Sequence, residues 1–437
     1  MKALFDSARQ RRNLRLRAGI SAIMCAGTVV LSAESSQAEA DGESSGRALL
    51  ASKVLTLQWD GPQLIHDGVV LIRDGLIEAV GQKGQVRVPE GYQLDDLGDS
   101  WLMPGLIDLH SHVGGTRGIN DMVFQGNPGL RVLPCIIPNN ERLQRAIASG
   151  VTTVLFIPGS GTNIGGQGTL MKTGRTSYAD TIVREVGSLK VAQGDNPTRW
   201  GYGMGRLLMN YTLRKTFDKG LAYARKWMAH EAGFASKPDR NIQLEVFRHL
   251  VAKDTQISTH TQYYQLVMMS IKMLAVDYPF DAFIDHGSFD SHLNADRAAA
   301  AGVAAILGPR QVMWPRAPRF DTDGRVEGSA WGFQQGGHPQ IGFNTDATVI
   351  PQEALSQQSG MGVRYGFRND RMQAVRGLTI VPARTAGIDD RLGSIEVGKQ
   401  ADLLVVTGDV SDQRNFVRLV FIDGELVYDE AEEGRRW

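Results

Sequence analysis

Short apolar runs alternate with amphipathic stretches through the middle of the chain, and this alternation limits its architecture more than any other feature. The runs GVTTVLFIP (150–158), FIDHG (283–287) and VAAILGP (303–309) have the length and composition of buried strands. Between them lie stretches with helical periodicity, such as NERLQRAIAS (140–149) and YQLVMMSIKMLAV (264–276). The pattern predicts an α/β fold, a (β/α)8 TIM-type barrel over residues 104–387. A doubly wound open sheet is the alternative.

A glycine-rich stretch, GSGTNIGGQG (159–168), lies inside the barrel segment. It has neither the spacing nor the lysine of a phosphate-binding loop, which argues against a nucleotide-binding protein. Because glycine permits close approach of the backbone, we expect a loop that passes near the functional site.

The regions that flank the barrel segment are rich in β-forming residues. Residues 48–103 contain such runs around Asp74 and Gly75, and residues 388–432 contain further runs around Asp423 and Gly424. Asp-Gly pairs between β-rich runs are strong hairpin signals. We therefore expect 48–103 and 388–432 to form one small composite β-sandwich domain.

The first 40 residues have the organisation of a secretory signal peptide. A basic stretch (9–17) precedes the apolar run AGISAIMCAGTVVLSA (18–33), and small residues suited to cleavage follow at Ala38 and Ala40. The run is short for a membrane span. The segment predicts a chain exported to the bacterial periplasm or the extracellular space, with no stable membrane insertion after signal removal. An uncleaved anchor is the alternative.

The charge and cysteine content narrow the classes of partner. Lysine plus arginine and aspartate plus glutamate each number 47, so the formal net charge is zero. This balance gives no reason to expect nucleic acid or an anionic membrane as partner. Removal of the signal would leave Cys135 as the one cysteine, so the mature chain would form no internal disulfide. A homo-oligomer is compatible with the sequence.

Polar residues stand where several of the apolar runs should end. WLMPGLIDLHSH (101–112) ends on His110 and His112, which point to the same face of an extended strand. Further candidates close later runs: Lys190, Asp195, His260, His286 and Asp346. In a barrel these strand ends share one mouth, where the chemistry of such folds is placed. Imidazole and carboxylate groups in this arrangement predict a metal site.

These motifs resemble the amidohydrolase superfamily, metal-dependent hydrolases on a (β/α)8 barrel. The similarity is closest to its imidazolonepropionase-like branch, which includes secreted peptidases acting on small amides, and it runs from about residue 67 to 428. The motifs that carry it are LMPGLIDLHSH, GVTTVLFIPGSGTNIGGQGTLMKTG, LKVAQGDNPTR, THTQ, FIDHG, NTDATVIP and RLGSIEVGKQADLLVV.

The resemblance implies a ligand set for one or two divalent metal ions, with zinc expected. His110, His112 and Asp346 would bind one ion. His260 and His286 would bind the second. Ligands of this type also accept Mn, Fe or Co according to supply.

Two further residues decide whether the implied site holds one ion or two. Lys190 matches a lysine that, in part of the superfamily, reacts with CO2 to give a carbamate that bridges two metals as an anionic oxygen donor. Asp195 stands where relatives often have glutamate. Ligation by Asp195 instead of Lys190 is the alternative, and it would make the site mononuclear.

The implied activity is hydrolysis of a carbon–nitrogen bond in a dipeptide, an N-acyl amino acid or a cyclic amide. Metal binding lowers the pKa of water from about 15.7 to near 7, and Asp346 would carry the proton to the departing nitrogen. Substrate contacts are expected from Arg199, from Tyr263 or its neighbour Tyr264, and from His292 and His338. Alternatives are lactone or phosphoester hydrolysis or decarboxylation on the same site. A catalytically silent binding protein would lack ligands, whereas every expected position is filled.

Overall fold

The computed structural model describes residues 46–194, 196–200, 204–313 and 326–436, without the side chains of Arg199 and Trp200. The predicted signal peptide (1–40) and the alternative ligand Asp195 lie outside these ranges. Within them, no helix is both long and apolar enough to cross a membrane.

The strands are β1 (Arg47–Val54), β2 (Ile65–Arg73), β3 (Leu76–Gln82), β4 (Gln93–Asp96), β5 (Trp101–Pro104), β6 (Leu106–Ser111), β7 (Val151–Phe156), β8 (Ile164–Lys172), β9 (Ile182–Gln193), β10 (Gln256–Thr261), β11 (Ala282–His286), β12 (Ala304–Leu307), β13 (Val312–Met313), β14 (Glu327–Gly328), β15 (Ile341–Phe343), β16 (Leu403–Val406), β17 (Val417–Ile422) and β18 (Glu425–Asp429). The α-helices are α1 (Glu141–Ala148), α2 (Tyr178–Thr181), α3 (Asn196–Trp200), α4 (Arg206–Glu231), α5 (Val246–Ala252), α6 (Tyr264–Ser270), α7 (Ala295–Ala300), α8 (Ser329–Gln335), α9 (Leu355–Arg364), α10 (Gln373–Arg376), α11 (Ile380–Ala386) and α12 (Glu430–Glu433). Short 3-10 turns span Leu133–Cys135, Phe289–Asn294 and Gln352–Ala354, and a π-helical segment spans Ile271–Asp277.

Eight strands form a barrel-like sheet in the order β15-β12-β11-β10-β9-β8-β7-β6. Neighbouring strands are parallel except at β8, which is antiparallel to both β7 and β9. The reason is the connection between β7 and β8, residues 157–163, because a parallel crossover needs about a dozen residues or more. The predicted barrel is therefore confirmed as a barrel-like sheet, but its strict strand–helix alternation is interrupted at β8.

Amphipathic helices form in the sequence between the barrel strands. Helix α1 begins after Asn140, whose side chain accepts hydrogen bonds from the backbone N–H groups of Arg142 and Leu143. Helix α4 buries Leu213 and Phe217 in a cluster with side chains of α5 and β9. Helix α4 therefore packs against the barrel sheet through its apolar side chains.

Contacts between β6 and the segment after β15 bring the two edges of the barrel sheet together. Ser111 pairs with Ala347 in an isolated parallel bridge. The carboxylate of Asp108, which is fully buried, accepts hydrogen bonds from Thr345 N (3.1 Å), Thr345 Oγ1 (2.6 Å) and Gln352 Nε2 (2.6 Å). The side chain of Asp108 thus links β6, the first barrel strand, to the segment that follows β15, the last barrel strand.

Replacing Asp108 with alanine is expected to destabilise the fold by about 3 kcal/mol, since several buried donors would lose their acceptor. Burial raises the pKa of Asp108 to about 6, so the group is ionised and accepts hydrogen bonds at neutral pH. The measurement is the urea unfolding midpoint at pH 7.5 with chelator present. Asp281→Ala is the control, because Asp281 pairs with Lys253 at the surface and such pairs contribute about 0–1 kcal/mol. Equal shifts for both variants would contradict the role of Asp108.

The two ends of the described chain share a second sheet, in the order β18-β17-β16-β5-β1-β2-β3, with β4 beside β1. Strand β16 pairs antiparallel with β5, with Val405 opposite Leu102. The expected turns form, since Asp74 and Asp423 have φ of 50° and 49°. Both ends therefore build one composite sheet. The second sheet of the predicted sandwich is not confirmed among the described residues, and the domain boundaries remain a prediction.

Candidate metal centre

The two histidines at the end of β6 converge with a carboxylate that follows β15. The Nε2 atoms of His110 and His112 are 3.1 Å apart. Oδ1 of Asp346 lies 3.2 Å from Nε2 of His110 and 3.4 Å from Nε2 of His112. Asp346 adopts a left-handed backbone conformation, with φ of 49°, which is uncommon for residues other than glycine and recurs at functional sites. The structure therefore brings these three predicted ligands together.

His260 and His286, at the ends of β10 and β11, lie beside this group. Their ring centroids are 4.1 Å apart, and that of His286 is 4.5 Å from the ring of His110. Each ring is fixed through Nδ1, by Ser160 Oγ for His260 (2.8 Å) and by Gly308 O for His286 (2.8 Å). Their Nε2 atoms are buried without a hydrogen-bond partner among the described residues.

This orientation suits a metal ion. A metal-binding histidine usually engages a protein group through one ring nitrogen and leaves the other for the ion. His112 follows the same rule, since its Nδ1 lies 2.9 Å from the carbonyl oxygen of Ile157. A buried polar nitrogen that lacks a hydrogen-bond partner lowers the free energy of unfolding. The donor set therefore fits a divalent cation.

Lys190, on β9, is fully buried, and its Nζ lies 3.3 Å from Oδ2 of Asp285. The same oxygen is 2.6 Å from Nδ1 of His110. Asp285 was not among the predicted site residues because it directly precedes His286, and strand alternation would place the two on opposite faces. His286, however, has φ of 80°, so regular alternation ends there. A carboxylate within the strand segment FIDHG, directly beside a predicted ligand, was the available signal.

The chain resembles known proteins both in sequence and in structure. A profile described as "Amidohydrolase family" matches residues 340–427, which include Asp346. Imidazolonepropionase from Pseudomonas putida strain GB-1 is 24% identical over 369 residues, covering 78% of this chain and 87% of its own length. The crystal structure of an amidohydrolase from Thermotoga maritima MSB8 superposes with a TM-score of 0.76 at 26% identity, covering 87% of this chain and 99% of that one. The profile, the curated relative and the solved structure all place the similarity of this chain in the amidohydrolase superfamily.

Two further similarities differ in how much of the other protein they cover. Amidohydrolase tasK from Hapsidospora irregularis is 25% identical over 402 residues, which cover 83% of this chain but 40% of that protein. A Xaa-Pro dipeptidase with bound methionine has a TM-score of 0.53 at 18% identity, covering 88% of this chain and all of that one, and shows the fold alone. The comparisons support a hydrolase that acts on carbon–nitrogen bonds of small molecules.

Burial favours the neutral form, which binds metals, in three of the four imidazoles of the centre. It lowers the pKa of His112, takes that of His260 well below its usual value and takes that of His286 to about 4. For His110, burial is outweighed chiefly by Asp285, so its pKa is raised. Burial also lowers the pKa of Lys190, even though Asp285 acts in the opposite direction.

The residues predicted to contact substrate fall in different places. Tyr263 follows β10 and stacks on Phe289, with centroids 4.4 Å apart. His292 lies on the turn after β11, with Nδ1 3.4 Å from the carbonyl oxygen of Phe289. Both therefore follow the strand ends that carry the cluster. The side chain of Arg199 lies outside the described part of the chain.

His338 is not brought to the centre. Its Nε2 lies 2.9 Å from the carbonyl oxygen of Val303, which directly precedes β12, and its ring packs on Phe333. It therefore lies at the amino ends of β12 and β15, whereas the cluster lies at the carboxyl ends. The environment of His338 is that of a buried structural residue.

Proposed function

We propose that this protein is an exported, metal-dependent amidohydrolase that hydrolyses an amide bond in a dipeptide, an N-acyl amino acid or a cyclic amide. The observation that carries the proposal is the convergence of four imidazoles with the carboxylate of Asp346, two of them with buried, unpartnered Nε2 atoms. Sequence similarity to imidazolonepropionases supports a substrate with a carbon–nitrogen bond.

The groups proposed to hold metal are His110, His112 and Asp346 for one ion and His260 and His286 for a second, with Lys190 as the bridging carbamate. Zinc is the proposed metal. A divalent ion bound there would activate water and polarise the substrate carbonyl as a Lewis acid. Imidazole and carboxylate donors are suited to zinc and its neighbours.

Asp346 is the proposed proton carrier. Its side chain is 16% exposed and that of His112 is 17% exposed, whereas His110 is fully buried. The carboxylate is therefore open to water and substrate on one side and held by histidines on the other. Burial acts to raise the pKa of Asp346, but His110 and His286 outweigh it and hold the pKa well below its usual value. The group is thus ionised, can take a proton from the attacking water, and can pass it to the departing nitrogen.

The metal content of the purified protein, compared with Lys190→Ala, tests the proposed centre. Close to two ions in the wild type, a sharp fall in the variant and rescue by short carboxylic acids would support a bridged pair. One ion in both proteins would remove Lys190 from the ligand set and direct attention to Asp195. No metal after reconstitution would exclude a metal-dependent hydrolase.

The reaction is tested separately with a panel of dipeptides, N-acyl amino acids, cyclic amides, lactones and phosphoesters. Release of an amine or opening of a cyclic amide, dependent on added metal, is the expected result. If only lactones or phosphoesters are hydrolysed, the proposal of amide hydrolysis is wrong and ester hydrolysis is the function.

A further inference from the structure

We propose that Asp285 is a positioning residue that orients two members of the metal centre at once, His110 and Lys190. The inference rests on the proposed function, because it concerns how the centre holds its ion. No contact with substrate is required of Asp285.

The two ring nitrogens of His110 face different carboxylates. Nδ1 lies 2.6 Å from Oδ2 of Asp285, whereas Nε2 lies 3.2 Å from Oδ1 of Asp346. Nε2 is also the nitrogen that meets Nε2 of His112. These two Nε2 atoms would hold a shared ion, and they lie on the other side of the His110 ring from Asp285. Asp285 therefore acts through the imidazole, by the close contact of its carboxylate with Nδ1, which holds the orientation of the ring.

The same carboxylate oxygen serves Lys190. Oδ2 of Asp285 is 3.3 Å from Nζ, and both side chains have no exposed surface. An ammonium group has three N–H donors, and a carbamate would keep one on the same nitrogen. Asp285 can therefore anchor Lys190 in either chemical state. One oxygen on β11 thus couples a residue on β6 with a residue on β9.

The carboxylate of Asp285 is itself held in place by a neighbouring side chain. Oδ1 of Asp285 lies 3.4 Å from Nδ2 of Asn344, and that nitrogen donates to the carbonyl oxygen of Ile306 at 2.7 Å. Both carboxylate oxygens therefore have partners, and the side chain has little freedom to turn toward an ion. Asn344 is two residues before Asp346, so the network also reaches the segment that carries the proposed proton carrier.

The test is the affinity of purified Asp285→Asn for Zn²⁺ and Co²⁺, measured by competition with a chelator, together with the visible spectrum of the Co²⁺ form. The expected result is binding about 10–100-fold weaker than wild type, with a shifted Co²⁺ spectrum. Asp402→Asn is the matched control, because Asp402 is another buried carboxylate paired with a lysine, Lys172. It should lower stability while metal affinity and spectrum remain those of the wild type.

Wild-type affinity and an unchanged spectrum in Asp285→Asn would overturn the inference and leave the proposed function intact. A wild-type protein that binds neither ion would overturn both. If Asp285→Asn does not fold, Asp285→Glu becomes the deciding variant, since it keeps the charge but displaces the oxygens. Weaker binding with a shifted spectrum supports the inference there, and unchanged values refute it.

Discussion

Asp346→Asn is expected to lower kcat for amide hydrolysis by about 10²–10⁴-fold, the range that general acid–base catalysis contributes. Asparagine keeps the shape of the side chain and one oxygen that can bind a metal ion, but its amide cannot take up a proton as the carboxylate does. The carboxylate lies 3.4 Å from Nε2 of His112 and is partly open to solvent, which suits transfer between water and the leaving nitrogen. The measurement is steady-state kinetics on the best amide of the panel, at saturating metal.

A control separates loss of the proton carrier from loss of a negative charge in general. Asp370→Asn removes an exposed carboxylate from the loop before α10 and should leave kcat within about twofold of wild type. The metal content of Asp346→Asn is measured in parallel. A variant that keeps its metal and more than about a tenth of wild-type kcat would show that another group carries the proton.

Removal of metal by chelation is expected to reduce turnover by at least about 10³-fold, because the pKa of water would remain about 15.7 instead of falling to near 7. Zn²⁺, Co²⁺ or Mn²⁺ should restore activity, since imidazole and carboxylate groups bind all three. Mg²⁺ and Ca²⁺ should not, because they prefer sites made of oxygen ligands.

Adding these metal ions to the chelated protein also tests its stability. Each metal that restores activity should also raise the unfolding temperature, because a ligand that binds only the folded state stabilises it. The buried Nε2 atoms of His260 and His286 gain a partner at the same time. Full activity in protein shown to be metal-free would contradict the proposed mechanism.

The site residues that the sequence predicted can be recognised from their positions within a single strand or at its end. His110 and His112 were recognised because strand alternation places them on one face, and His260, His286 and Asp346 because each ends an apolar run. Parallel strands then bring their carboxyl ends together. His338 precedes its strand, and that order could have separated it from the others.

The interactions that were missed join residues far apart in the chain. Asp108 and Thr345 are separated by 237 positions, and nothing local in either segment identifies the other as its partner. The sequence did not predict Asp285 for a different reason. Its place beside His286 in the site depends on the backbone turn at His286. The glycine-rich stretch was interpreted as a loop. Its first half does pass beside the site and supplies Ser160 to His260, but β8 begins at Ile164.

The composite sheet also affects the timing of folding during synthesis. β5 and β16 pair directly, although their partners, Leu102 and Val405, are roughly 300 positions apart. The early strands therefore leave the ribosome long before the strands that cover their edge exist. An exposed strand edge is a site for association with other chains, and incompletely folded chains are prone to aggregate. The time needed to translate the barrel therefore sets how long this edge of β5 stays uncovered.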